Sequence, residues 1–390
     1  MTCKAGRGIY YTFAPPQSGG MENIMDFYGF NRAEIDLGIL ADNYRRICEY
    51  AKGTPVISVV KANAYSHGAV RCSETLYRCG CRHFAVSSVN EAMEIRAAVR
   101  ESEIIILGVV PAEGVPLLCA NDITVALASD EEARVLAAAV PAGKKLRVHV
   151  KLDTGMNRIG FPATREGVDQ IERALSCGKF LPDGLFTHFA CADEPSSDMT
   201  SRQFERFTAA EKMLCERGLT FKMRHVCNSA GTILDPDMHL DAVRAGIILY
   251  GLDPSPEARA TGLKPVMSLK TKITHIHEVE AGETVGYGAA FTAPQRMKIA
   301  TLPIGYYDGF IRAYANGAGV PFGGRDCPIV GRICMDQCMI DVTGTEAAVG
   351  DTVELFGQTN TVERFACAAG TISYECLCLI SQRVERVYKS

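Results

Sequence analysis

The chain contains 390 residues, which is more than one ordinary domain holds and enough for two. Of these residues 47% are hydrophobic and 22% are charged, so the chain can bury a large core, and no apolar run approaches the roughly 20 residues of a membrane-spanning helix. The formal net charge is −4 and no basic block interrupts the mixed charge pattern, which argues against nucleic-acid binding.

We expect residues 1–28 to form a disordered leader. Pro15, Pro16 and two glycines interrupt this segment, so it lacks the continuous apolar core of a secretory signal. Sixteen cysteines are scattered along the chain and none forms a C-x-x-C pair, which argues against structural zinc, and we expect no metal site. Thiols in a chain without an export signal are typical of a reduced, cytoplasmic protein.

The next part of the chain, residues 29–255, alternates short apolar runs with amphipathic stretches. Helical spacing is clearest over residues 40–51, 90–99 and 200–217. The predicted strands cover residues 56–62, 83–88, 104–109, 123–128, 147–153, 184–189, 225–228 and 242–247. Eight strands alternating with helices predict a (β/α)8 barrel. A doubly wound open sheet is the alternative, but no G-x-G-x-x-G follows the first strand.

The pattern changes in residues 256–390. Short β-rich runs with Gly and Asn punctuation replace the alternation, for example at residues 269–279, 297–303, 328–342 and 352–356. This predicts a second, mostly antiparallel β-domain at the C-terminus. We leave open whether the first strand of the chain packs on this domain instead of on the barrel.

The first motif with chemical content is residues 59–68, VVKANAYSHG. It places Lys61 at the carboxyl end of the first barrel strand, where barrel enzymes carry their catalytic groups. Burial at that position lowers the pKa of a lysine and favours the free amine that condenses with an aldehyde. A strand-end lysine that points into water is the alternative, and the position at the strand end does not by itself distinguish a buried lysine from a solvent-facing one.

This string resembles the lysine motif of the alanine racemases, a family of fold type III amino-acid racemases that depend on pyridoxal phosphate. The resemblance extends over residues 30–390 and implies a barrel followed by a β-domain. It implies that Lys61 holds the cofactor as a Schiff base and that Tyr65 lies beside it. The sequence departs from the family at Ser66, where a glycine is usual.

Two further strings match the family after the fifth and sixth predicted strands. In residues 151–161, KLDTGMNRIGF, the resemblance implies that Arg158 orients the phenolic oxygen of the cofactor and the carboxylate of the substrate. The lysine that matches Lys151 is carbamylated in some members, although a buried lysine paired with an acid is the simpler interpretation. In residues 187–193, THFACAD, the resemblance implies that His188 stacks on the pyridine ring, whereas an isolated histidine is more often a core residue.

The loops after the seventh and eighth predicted strands commonly bind phosphate in barrel enzymes. There Ser229 offers a hydroxyl, and Gly246 and Ile247 offer backbone amides. The resemblance implies that Arg244 hydrogen-bonds the pyridine nitrogen. An arginine keeps its protons near neutral pH, so the nitrogen stays unprotonated and the ring favours racemisation over decarboxylation. A structural salt bridge is the alternative, and Ala245 replaces the usual proline.

Racemisation removes a proton from one face of Cα and returns it to the other. In residues 285–289, VGYGA, Tyr287 matches the family tyrosine that serves one face from the partner subunit, while Lys61 serves the other. Two flanking glycines indicate an exposed loop tip. The resemblance also implies that Tyr306 and Met335 bind substrate and that Tyr374 contacts the phosphate. Ordinary β-domain packing is the alternative for each of these residues.

The predicted function is therefore interconversion of L- and D-alanine by a homodimer with shared active sites, supplying D-alanine for peptidoglycan. A serine or broad-specificity racemase is the first alternative, although a tyrosine at position 374 favours alanine within the family. A non-catalytic protein that binds pyridoxal phosphate is the distant alternative, because such proteins lack the C-terminal β-domain.

Overall fold

A computed structural model describes residues 29–390, and the predicted leader lies outside the described residues. The first half is built around short apolar strands, most of whose residues are buried. The strands are β1 (Arg32–Asp36), β2 (Val56–Val59), β3 (His83–Val86), β4 (Glu103–Ile106), β5 (Thr124–Leu127), β6 (Leu146–Asp153), β7 (Phe161–Pro162), β8 (Phe180–Phe186), β9 (Met223–His225) and β10 (Val243–Ala245).

Eight of these strands form one parallel sheet in the order β10-β2-β3-β4-β5-β6-β8-β9, and β7 adds a short pairing with β6. The sheet closes on itself because Asp241 and Arg224 join β10 to β9 through a 3.0 Å N–H···O bond, and Arg244 N–H reaches the carbonyl oxygen of Cys227 at 3.0 Å. The barrel prediction is confirmed. The observed strands are mostly shorter than predicted, because their carboxyl ends turn into the loops that form the barrel mouth.

The helices of this half are α1 (Leu37–Tyr50), α2 (Lys61–Tyr65), α3 (Ala69–Arg78), α4 (Val89–Ala98), α5 (Val115–Ala120), α6 (Asp130–Ala139), α7 (Arg165–Ser176), α8 (Met199–Glu216) and α9 (Ser229–Leu234). Most of them cover the outside of the barrel, whereas α2 and α9 contribute residues to its mouth. Several begin at a residue that caps them: Ser88, Ser129 and Thr164 each accept a backbone N–H three residues ahead. These caps set the points at which the chain leaves the barrel mouth.

The strands of the second half belong to three sheets, and this half also contains two α-helices. The strands are β11 (Met267–Lys272), β12 (His275–Val279), β13 (Thr284–Val285), β14 (Phe291–Thr292), β15 (Met297–Leu302), β16 (Gly319–Phe322), β17 (Arg325–Val330), β18 (Cys338–Asp341), β19 (Thr352–Phe356) and β20 (Glu385–Lys389), and the helices are α10 (Val362–Ala369) and α11 (Ser373–Cys378). The predicted β-rich runs over residues 269–279 and 328–342 each correspond to two strands, β11 with β12 and β17 with β18.

One sheet has the order β12-β15-β18-β17-β16, a second has the order β19-β11-β1-β20, and β13 and β14 form a two-stranded sheet. Strand β1 therefore pairs with the C-terminal strands: antiparallel to β11 and parallel to β20. The pairing brings the end of the chain back against the barrel, close to Lys61. Over residues 29–390, we find no helix with the length and apolar character needed to cross a membrane.

Candidate functional site

A cavity of about 620 Å³ lies at the carboxyl ends of the barrel strands, bounded on one side by α11. It brings together residues that are far apart in the chain. Its lining includes eight of the predicted site residues, namely Lys61, Tyr65, His188, Ser229, Arg244, Gly246, Ile247 and Tyr374.

Lys61 enters this cavity at the start of an unusual turn. Residues 62–66 all have positive φ angles, between 51° and 66°, although none of them is glycine. Ala64 N–H donates to the carbonyl oxygen of Val60 at 2.8 Å, so the segment is a left-handed helical turn. For L-residues each such conformation costs roughly 1–2 kcal/mol, so the surrounding structure has to impose it.

The end of the turn is held by the C-terminal segment. Arg386 Nε donates to the carbonyl oxygen of Ser66 at 3.0 Å, and Ser66 Oγ donates to the carbonyl oxygen of Cys378 at 3.3 Å. Next to it Gly68, with φ +95°, lies so close to Tyr388 that a Cβ there would stand 1.9 Å from the phenolic oxygen. The second domain therefore helps to set the direction of the Lys61 side chain.

The electrostatic surroundings favour the free amine of Lys61. Burial lowers the pKa of Lys61, and the positive charge of Arg158 lowers the pKa further. Cys378 and Glu91 act in the opposite direction but are weaker. A lysine with a lowered pKa is available as a nucleophile and as a base at a lower pH than a free lysine.

Arg244 is 3% exposed and lies at the centre of the barrel mouth. Its two terminal nitrogens donate to the carbonyl oxygens of Thr187, His225 and Val226, each at 2.8 Å. No carboxylate lies within ion-pair distance of Arg244 in the described part of the chain, so the salt-bridge alternative finds no partner there. Burial lowers the pKa of Arg244 to about 10, which still leaves it charged near neutral pH.

Two histidines complete the surroundings of Arg244. An arginine only donates, so His225 accepts at Nδ1 from Arg244 Nη1 at 2.7 Å, which leaves the proton of a neutral ring on Nε2. That nitrogen lies 2.9 Å from Nδ1 of His149. Burial and then the charge of Arg244 keep the pKa of His225 well below its usual range. The sequence prediction missed His225, although it stands on a strand that leads into the mouth.

His188 lies on the cavity side of Arg244, with Nδ1 at 3.2 Å from Arg244 Nη2. Burial first and Arg244 second keep its pKa well below its usual range, so its ring is neutral. Gln203 of α8, which is fully buried, donates to the carbonyl oxygen of His188 at 3.1 Å and accepts the Ala190 N–H at 2.8 Å. In the sequence, Gln203 falls on the apolar face of the predicted helix over residues 200–217, and this position could have identified it as a support for His188.

The opposite end of the cavity is a small polar cradle. Gly246 N–H donates to Ser229 Oγ at 3.0 Å, so this amide has a partner within the chain. Ile247 begins a 3-10 helix, in which its N–H has no intrahelical partner. A Cβ on Gly246 would stand 2.8 Å from Tyr65 Oη, and the ring centroids of Tyr65 and Tyr374 are 6.1 Å apart. The space exists only because residue 246 has no side chain.

Lys151 lies beneath the cavity and is 4% exposed. Within residues 29–390 it forms no ion pair, which speaks against the simpler interpretation of an acid-paired lysine, and its Nζ lies 5.4 Å from the Phe186 ring centroid. Burial and then Arg158 lower the pKa of Lys151 to about 8. Arg158 itself is exposed, on the loop that Asp153 caps by accepting the N–H groups of residues 155 and 157.

Four predicted site residues do not line this cavity: Arg158, on the loop after β6, and three residues of the second domain. Tyr287, Tyr306 and Met335 lie on loops of the second domain, where 71%, 42% and 51% of their surfaces are exposed. The loops of Tyr306 and Met335 are joined by Arg383, whose Nε donates to buried Asp308 at 2.8 Å and whose Nη1 donates to Asp336 at 2.7 Å. The loops of Tyr306 and Met335 are thus held in place at the surface, and neither residue lines the cavity of its own chain.

Both domains of this chain are similar to those of known proteins. The family model described as "Alanine racemase, N-terminal domain" matches residues 35–254, and the model of the C-terminal domain matches residues 266–388. A curated alanine racemase of Clostridium tetani is 42% identical over 365 residues, which cover 91% of this chain and 94% of that protein.

Solved structures agree with the sequence matches. The alanine racemase of Clostridium difficile 630 superimposes with a TM-score of 0.88 at 40% identity, covering 92% of this chain and 95% of that one. The alanine racemase of Bacillus anthracis with bound L-Ala-P superimposes with a TM-score of 0.89 at 32% identity, covering 93% and 96%. Since both domains match along almost their whole length, the chain belongs to the alanine racemase family.

Proposed function

We propose that the protein is a pyridoxal-phosphate-dependent alanine racemase that interconverts L- and D-alanine. The observation that carries the proposal is the pairing of Lys61 with Arg244 in one cavity: a lysine with a lowered pKa and a buried arginine without a carboxylate partner among the described residues. The amine of Lys61 can condense with an aldehyde, and the guanidinium of Arg244 can hydrogen-bond a ring nitrogen without protonating it.

The cavity fits pyridoxal phosphate in charge and in shape. The terminal nitrogens of Arg244 make its hydrogen bonds to the described residues, and its Nε makes none of them; since Arg244 lines the cavity, one donor remains for a ring nitrogen. The space above Gly246, beside Ser229 and Tyr65, suits a phosphate group that a side chain would exclude. Lys61, His188 and Tyr374 would hold the remaining edges of the cofactor.

When bound, the cofactor would withdraw electrons from the substrate Cα and so make its proton more acidic. The residues of the chain then decide what reaction follows. Lys61 would accept or return that proton at Nζ on one face. Arg244 cannot give its proton to the ring nitrogen, which limits the electron withdrawal and disfavours side reactions. Arg158 would orient the carboxylate of the substrate.

The second base would come from another subunit. Tyr287 does not line the cavity of its own chain and lies exposed between Gly286 and Gly288, whose φ angles of 77° and 70° suit glycine. We propose a homodimer in which Tyr287, Tyr306 and Met335 complete the site of the partner. A monomer with full activity, seen by sedimentation at the assay concentration, would contradict this arrangement.

The direct test is conversion of L-alanine by the purified protein with added pyridoxal phosphate, with D-alanine separated by chiral chromatography. A parallel screen with L-serine and other small amino acids decides between an alanine racemase and a broad-specificity enzyme. The variant Lys61→Arg, which keeps the charge but loses the nucleophile, is expected to be inactive. A protein that binds the cofactor but forms no D-isomer from any amino acid would be a carrier. In a bacterial cytoplasm, the product would supply peptidoglycan synthesis.

A further inference from the structure

The left-handed turn that carries Lys61 is tied to the neighbouring barrel loop by a carboxylate. Glu91 stands in the first turn of α4, just after β3. Its Oε1 accepts the N–H of Ala62 at 2.7 Å, and its Oε2 accepts the N–H of Ser87 at 2.8 Å. Both oxygens are therefore used on backbone groups, one of which belongs to the residue directly after Lys61.

This use of a glutamate differs from ordinary helix capping. In a capping box, the acidic side chain three residues into the helix bonds back to the N-cap amide. Ser88 and Glu91 have that spacing, and Ser88 Oγ accepts the Glu91 N–H at 3.2 Å. Yet one oxygen of Glu91 goes to the residue before the cap, and the other crosses to the adjacent strand end. The carboxylate thus contributes more than the start of α4.

The chain contains a matched helix start that lacks this extra contact. Ser129 caps α6 in the same way, and Glu132 Oε2 accepts the N–H of Ala128 at 2.8 Å. The other oxygen of Glu132 is buried without a hydrogen-bond partner in the described part of the chain. Of the two glutamates, only Glu91 binds the turn of Lys61.

Packing alone does not hold the beginning of that turn. Ala62 and Asn63 are exposed, while the later residues 64–66 are buried. The positive φ angles nevertheless begin at Ala62. A hydrogen bond to an ionised carboxylate is shorter and stronger than one between neutral groups, so Glu91 is the contact able to hold an exposed strained residue.

We propose that Glu91 is a positioning residue for Lys61: its carboxylate clamps the Ala62 N–H to the end of β3 and so aims the lysine into the cavity. The inference rests on the proposed role of Lys61 in the reaction. Glu91 does not line the cavity, so it acts through the backbone of the turn.

The test compares the isosteric variants Glu91→Gln and Glu132→Gln, with Glu91→Asp as a shorter side chain that keeps the charge. An amide has a single acceptor oxygen, so E91Q leaves either Ala62 or Ser87 without its partner. E132Q can keep its one hydrogen bond, because the amide oxygen can accept the Ala128 N–H while the amide nitrogen takes the position of the oxygen that has no partner among the described residues. Three quantities are measured on the holoenzyme: kcat, KM for alanine, and the rate at which pyridoxal phosphate is released during dialysis, followed by absorbance.

We expect E91Q to lower kcat by about 10- to 100-fold, because a displacement of about 1 Å at a reacting group has effects of this size. KM should change less than kcat, cofactor release should accelerate, and E91D should lie between E91Q and the parent. E132Q should match the parent in all three. Equal losses in E91Q and E132Q, or parent-like values in E91Q, would overturn the proposal, as would an E91Q that fails to fold beside a normal E91D.

Failure of the proposed function gives a different result. In that case the parent protein would not racemise alanine at all, while the release of pyridoxal phosphate from E91Q and from the parent would still report on the position of Lys61.

Discussion

Substitution of Gly68 by alanine tests how the second domain holds the Lys61 turn. Gly68 has φ +95° and ψ 96°, a conformation that L-residues rarely adopt. A Cβ there would stand 1.9 Å from Tyr388 Oη, 3.0 Å from Cζ and 3.3 Å from Cε1. Alanine therefore adds two separate costs: backbone strain, and a collision with a side chain of β20.

The free-energy cost of the strain and that of the collision can be estimated separately. Strain of this kind costs about 1–3 kcal/mol, and overpacking of one added carbon costs a further amount of about 1–3 kcal/mol. Gly80 provides the matched control, since its φ of +101° is similar and a Cβ there would meet nothing within 4 Å. We therefore expect Gly80→Ala to show the strain alone, and Gly68→Ala to lose about 2–6 kcal/mol of unfolding free energy.

The variant Tyr388→Phe isolates the collision. Tyr388 Oη forms no hydrogen bond within residues 29–390, so this change alone should alter the free energy of unfolding by less than about 0.5 kcal/mol. Combined with Gly68→Ala it should restore part of the overpacking cost of about 1–3 kcal/mol, since the added Cβ would still stand 3.0 Å from Cζ. The measurement is urea unfolding at fixed cofactor concentration, with turnover followed in parallel. A double variant no more stable than Gly68→Ala, or a Gly68→Ala as stable as Gly80→Ala, would refute the reasoning.

Three other expectations concern the site and its supports. Tyr287→Phe should lower alanine racemisation by about 10²- to 10⁴-fold while the absorbance of the bound cofactor stays unchanged, since it removes one acid–base group only; normal turnover would exclude the two-base assignment. Asp308→Asn should cost about 1.5–3 kcal/mol in urea unfolding, because it weakens the bonds from Arg383 to a buried carboxylate, and should raise KM more than it lowers kcat. Burial lowers the pKa of His67 to about 4 from 6.5, so the neutral ring contributes about 3 kcal/mol to the free energy of unfolding above pH 6.5, and this contribution is lost as the pH falls through 4. The urea midpoint should therefore differ less between neutral pH and pH 4 in His67→Gln than in the parent, and an unchanged difference would contradict this.

Local sequence pattern was sufficient for the barrel and for much of the cavity lining. Short apolar runs that alternate with amphipathic helices leave few other ways to bury both faces of parallel strands. The carboxyl ends of those strands necessarily meet at one mouth, so the sequence alone predicts that Lys61, His188 and Arg244 lie together, as they do in the cavity. The motif strings then identified the family.

Other features depended on contacts between residues far apart in the chain. The left-handed turn after Lys61 consists of residues that individually disfavour positive φ, and it is held by Glu91 and Arg386. The pairing of β1 with β20 also joins the two ends of the described chain. Propensity describes the preference of each residue alone, whereas these conformations are selected by distant hydrogen bonds and packing. For that reason the sequence determined which residues meet at the site, and only the tertiary structure decided how Lys61 is aimed into the cavity.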